Sequence, residues 1–131
     1  GLKDLKKDLT DRADKDGFIV TIDGRKLSIR KPHATLNQAL QGGGAIVCKE
    51  WMLETDRLLS SPEHYALAPN KDYGQMGWVH DELCMEHRAF EFGQMIQEAS
   101  KQAVRNVGRS LEFRGELDTD GRTGRDWAET H

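Results

Sequence analysis

At 131 residues the chain is one domain or part of one. With 37% hydrophobic and 31% charged residues it is too apolar for a disordered segment, yet polar for a free-standing domain, so a covering partner is expected. A net charge of −3 excludes a globally basic nucleic-acid binder. The charge is unevenly spread, however. Between Arg25 and Lys49 there are five basic residues and no acidic ones, while the last twenty residues carry six acids against three arginines. A local basic face suits a phosphate backbone even when the total is negative.

Leu2, Leu5 and Leu9 recur at helical intervals among Lys and Asp, which predicts a short amphipathic helix with a solvated outer face. Gly17 ends it. Residues 18–22 and 26–30 then predict a hairpin around Asp23-Gly24, a strong turn signal. Pro32 suits the start of a second helix. Leu36, Leu40, Val47 and Trp51 would lie along its buried side. Asn37, Gln41, Gly44 and Cys48 fall at i, i+4, i+7 and i+11, a second stripe that is small and polar. Gly42, Gly43 and Gly44 sit inside this helix, and each costs about 1 kcal/mol relative to Ala. Two readings of that cost stand: tight helix packing, or close approach of a ligand to bare backbone.

Residues 60–73 contain Pro62, Pro69 and Asn70 and read as a loop. An apolar, strand-like run (Met76, Trp78, Val79) then reverses into another (Leu83, Cys84, Met85), which places Asp81-Glu82 at a hairpin tip beside His80. Residues 86–107 read as a long helix with Phe92, Met95, Ile96, Ala99, Ala103 and Val107 inward, closed by Gly108. Residues 111–117 read as a strand, and 118–124 as turn-rich. Asp118-Thr119-Asp120-Gly121 has the start of a calcium loop, but its Gly comes too early and the later ligands are missing. Cys48 and Cys84 lie far apart with no metal-ligand spacing and read as reduced thiols. No apolar run approaches membrane-spanning length and no signal peptide is expected, which points to the cytoplasm. Because it opens directly in a helical pattern at Gly1, the chain reads as a fragment or processed piece.

An Asp-Glu pair on a short turn is a natural oxygen ligand set for Mg²⁺, although most such pairs are simply solvated turn residues. The surrounding motifs add to it. Val79-His80-Asp81-Glu82 resembles motif C of the family A DNA polymerases, the DNA polymerase I family. Residues 32–37 running into Gln41-Gly42-Gly43-Gly44-Ala45 resemble the family's palm helix that carries an Asn and a Gln four residues apart, although three successive glycines depart from its pattern. Residues 17–21 leading to Asp23-Gly24-Arg25-Lys26 resemble its hairpin into a basic turn. Leu117-Asp118-Thr119, Gly121, Gly124, Asp126-Trp127 and His131 resemble the C-terminus of polymerases of short-tailed bacteriophages. The resemblance runs in order over essentially the whole chain.

It implies an α+β fold, part of a polymerase palm and fingers, with long helices on a small antiparallel sheet and a motif C hairpin. Residues 1–60 would form the helix, hairpin and DNA-contacting helix of that C-terminal palm segment. Residues 74–131 would form the motif C hairpin, a helix and the C-terminal strand and tail. It implies template-directed addition of deoxynucleotides to a primer 3′ end by two-metal-ion phosphoryl transfer. Asp81 and Glu82 would be the catalytic, metal-binding carboxylates, sharing two Mg²⁺ ions with a missing N-terminal part. His80 would touch the primer end, and Gln41 and Asn37 the duplex. His33, Arg25, Lys26 and Arg30 would also lie toward DNA; for the three cations an ordinary solvated strand end is the equal alternative. His131 would end near the active site. The implied partners are primer-template DNA, dNTP and the N-terminal part, with a processivity factor as a further candidate. The rival reading is a non-catalytic DNA-binding or scaffold subunit that keeps the palm fold. An unrelated metal hydrolase on His80 and Asp81 would lack a second ligand cluster.

Overall fold

The structure, a computed structural model, describes residues 1–130, with Pro32 through its backbone only. It divides into two compact units, Gly1–Val47 and Cys48–His131, and one long helix contributes to both.

In the first unit, helix α1 (Leu2–Asp16) stops at Gly17, whose left-handed φ of 73° lets its N–H reach the Ala13 carbonyl at 2.8 Å. Strands β1 (Phe18–Val20) and β2 (Lys26–Ser28) pair antiparallel, with Ile19 opposite Leu27. Gly24, at φ 82°, closes the turn between them, as Asp23-Gly24 led one to expect. A single turn of 3₁₀ helix (Pro32–Ala34) then feeds helix α2 (Thr35–Ser60). This unit buries little beyond Ala13, Ile19, Thr35 and Ile46. Leu2, Leu5, Val20, Ile22 and Leu40 stay exposed, the surface expected of a body that wants covering.

Leu40, expected on the buried side of α2, is 61% exposed. At about 100° per residue, Leu40 lies roughly 140° round the helix from the Thr35–Ile46 line, which is the side that sinks inward. The three glycines do not interrupt α2.

In the second unit, β3 (Tyr73–Val79) and β4 (Glu82–His87) form an antiparallel hairpin, followed by helix α3 (Phe90–Ser110) and the short helix α4 (Trp127–Thr130). The core joins the later half of α2 (Trp51, Leu58, Leu59) to Leu67, Tyr73 and the inner face of α3 (Ile96, Ala99, Ala103, Val104). Each fully buried leucine contributes on the order of 1.5–3 kcal/mol. Two polar groups of this core are satisfied: the Trp51 indole donates to the Ser100 carbonyl at 2.8 Å, and the Tyr73 hydroxyl to Asp56 Oδ1 at 2.6 Å. Burial, with Asp56 beside it, drives the Tyr73 hydroxyl well above the usual phenol range.

The mixed α and β architecture agrees with the expected fold class, as two separate two-stranded sheets. Three boundaries differ. Glu86 and His87 belong to β4 and not to the helix, because the alternation of Leu83 and Met85 carries on through the ladder to the Tyr73–His87 pair. Gly108 does not close α3; it is buried inside the helix, where Leu117 packs against its bare backbone. Residues 111–117 form no strand. Leu111 and Phe113 return their N–H groups to the Val107 and Gly108 carbonyls and close the helix end, and no strand edge is offered to the segment among the described residues.

Candidate active-site hairpin and nucleic-acid interface

The β3–β4 hairpin carries the acidic pair. Gln75 pairs with Met85 but Gly77 with Cys84, so Met76 is an extra residue, a β-bulge. The bulge has two effects. It leaves a workable two-residue turn, His80-Asp81, between the paired Val79 and Glu82. It also puts Trp78 opposite Leu83, so that both side chains pack on the core. The Trp78 ring meets Trp51 edge to face, with centroids 5.8 Å apart. Its indole N–H donates to the His80 carbonyl.

The tip is thereby held from below while its acids face outward. His80 takes φ 56°, a left-handed conformation that a polar residue at a turn tolerates. Asp81 and Glu82 are exposed. Two thiols adjoin them. Burial first, then the Asp81 carboxylate, push the Cys48 thiol up; burial and then Glu82 do the same for Cys84. Both thiols are therefore neutral near neutral pH, and both are free of disulfides. Among the described residues no group of three or more His, Cys, Asp or Glu could hold a metal ion. Two outward carboxylates on a fixed turn fit part of a Mg²⁺ site and leave the remaining ligands to come from elsewhere.

The other expected site residues lie in the first unit. Asn37 and Gln41 are exposed on α2, and His33 is exposed in the turn before it. Gly43 and Gly44 have nothing within 4 Å of where a Cβ would stand, whereas Gly42 faces Leu27 at 3.5 Å and Thr21 at 3.8 Å. Packing within the described chain accounts for Gly42 alone. Arg25 is turned back onto Asp23, whose carboxyl is held low first by the Thr21 hydroxyl and then by Arg25. Lys26 stands 4.5 Å over the Phe18 ring. Arg30 is exposed. His131 lies outside the described residues.

Sequence reasoning missed Trp78 as the anchor of the tip. The signal was present: an indole two residues before a turn, in a strand whose alternate positions face a core.

Comparison with known proteins decides the kinship. Over 114 residues, 87% of its length, the chain is 40% identical to the DNA-directed DNA polymerase of Escherichia phage T7 and 38% identical to that of Enterobacteria phage T3. The chain matches a segment of the phage DNA polymerases. It spans 16% of the length of each of these relatives. Its fold also matches a solved polymerase: the POL domain of Pol1 from M. smegmatis, in complex with DNA primer-template and dNTP. The TM-score is 0.62 at 26% identity, covering 80% of this chain and 19% of that one. No family model matches. The resemblance of the chain to the family A polymerases is thus borne out in sequence and in fold. Among the described residues no helix is long and apolar enough to cross a membrane.

Proposed function

We propose that the chain is the C-terminal palm segment of a template-directed DNA polymerase, active only together with the part it lacks. The observation that carries this reading is the exposed Asp81-Glu82 pair on a bulge-set, Trp78-anchored hairpin, in a chain whose relatives are DNA polymerases. Its substrates would be primer-template DNA and deoxynucleotides, the ligands in the Pol1 complex.

Asp81, with Glu82 beside it, would supply this side's carboxylates to a pair of Mg²⁺ ions completed by ligands from the missing part. Such ions ease deprotonation of the primer hydroxyl and steady the leaving pyrophosphate. Trp78 keeps the two carboxylates where a metal site needs them, so that no ordering is required at the moment of reaction. His80, fixed through its backbone, would contact the primer end. Gln41 and Asn37 would hydrogen-bond the duplex in the minor groove. An amide there meets acceptors common to all base pairs, so it checks pair shape without reading sequence. The bare backbone of Gly43 and Gly44 gives room for DNA. Arg30 and Lys26 would meet phosphates; Arg25 shapes the turn through Asp23.

Reconstitution tests the reading. Neither the 131-residue chain nor the rest of the polymerase alone should extend a primer, and the mixture should do so in the presence of Mg²⁺. Stable co-purification with DNA affinity but no extension would favour a scaffold subunit that keeps the palm fold.

A further inference from the structure

The segment after α3 returns along that helix as an extended strap, antiparallel to it. Contact points recur at regular intervals. Leu117 lies over Gly108, its Cγ 3.3 Å from where a Cβ would stand. Asp118 reaches Arg105 at 3.3 Å and Lys101 at 3.5 Å, and Glu116 reaches Arg105 at 3.5 Å. Gly121 approaches Gln97 so closely that a Cβ would sit 2.9 Å from its Cγ. Thr123 accepts a hydrogen bond from Gln97 Nε2 at 2.8 Å and lies against Gly93, 3.1 Å from its Cβ position.

On α3 the receiving residues are Gly93, Gln97, Lys101, Arg105 and Gly108. They are spaced by four, four, four and three, a single stripe on one face of a helix. Two glycine notches mark its ends and two cations its middle. The strap meets it with a matching pattern, Leu117-Asp118, then Gly121, then Thr123. The strap has no strand ladder to hold it, and its ion pairs are half-exposed and long. Such pairs are weak singly and are screened by salt.

We infer that residues 116–124 form a detachable, salt-gated strap, clamped to the Gly93–Gly108 stripe of α3. Leu117 and Thr123 fix its register at the two ends. Asp118, held between two cations, makes its closure depend on ionic strength. The inference is independent of the polymerase reading.

Trypsin cleavage after Arg122 in the intact 131-residue chain reports opening, because a protease cuts a transiently released segment in proportion to its open population. Rates are normalised to a free peptide of residues 116–128 cut under the same conditions. The wild-type chain should be cut slowly at low salt and about threefold to tenfold faster at high salt, the range expected from losing exposed ion pairs. Asp118→Asn should be cut faster than wild type at low salt, with its salt response reduced to what the remaining Glu116–Arg105 pair supplies. Thr123→Val should be cut faster than wild type yet keep the salt dependence, since it removes only the neutral anchor. Circular dichroism confirms that each variant keeps its helices. A wild-type rate equal to the free peptide's, or a salt response surviving intact in Asp118→Asn, would overturn the strap.

Discussion

The Trp78 indole N–H donates to the backbone carbonyl of His80, two residues further along and already in the turn. The same ring packs edge to face on Trp51 in the core. One side chain therefore ties the acidic tip to the body of its unit. Trp78→Phe keeps a ring over the core and removes only the donor. The expected cost is about 1 kcal/mol, concentrated at the tip. Amide exchange at residues 80–82 should then quicken about fivefold while α3 is unaffected. Exchange unchanged at the tip would mean that the turn holds its shape without the indole.

Gly43 and Gly44 have open space where a side chain would go. Gly43→Ala and Gly44→Ala should each stabilise the chain by roughly 1 kcal/mol, the helix-propensity difference, read as a raised melting temperature. In the assembled polymerase the same changes should weaken primer-template binding, because the added methyl occupies the approach. Stabilisation with unchanged DNA affinity would leave these glycines without a binding role.

The sequence carried much of this, and the failures have physical causes. The turn at Asp23-Gly24, the stop at Gly17 and the β3–β4 hairpin were legible because each rests on local chemistry: a left-handed glycine, or alternation broken by polar residues. Gly108 reads as a helix stop by the same logic. In the fold it is a notch for Leu117, and no local pattern announces a contact made nine residues later. Leu111, Phe113 and Leu117 have a strand's alternation, but a strand also needs a neighbouring edge, which is a tertiary fact. The bulge at Met76 was likewise hidden, since it depends on which residue of β4 stands opposite. The acidic pair was found by motif. Its firmness, which comes from Trp78, was not.

Glu54 joins the two long helices of the second unit. Its carboxylate accepts from Arg57 at 2.6 and 2.8 Å on α2 and from Asn106 Nδ2 at 2.8 Å on α3. Arg57 foremost, with Asn106, holds it below the ordinary value of 4.5. A depressed folded-state pKa gives stability that is complete above the unfolded value and lost as pH falls through the folded one. Glu54→Gln should therefore melt below wild type at pH 7, and the gap should narrow as pH drops below about 4.5. A gap of constant size between pH 7 and pH 3 would show that the charge of Glu54 contributes nothing to folding.

The most direct test of the account is single-turnover primer extension by the assembled polymerase carrying Asp81→Asn. On the proposed reading this removes a carboxylate that holds the metal pair, and with it several kcal/mol of transition-state stabilisation, about a thousandfold or more in rate. Primer-template affinity should stay close to wild type, and Glu82→Gln should lose less. An Asp81→Asn enzyme that extends primers at nearly the wild-type rate would contradict the assignment of this hairpin as the catalytic one.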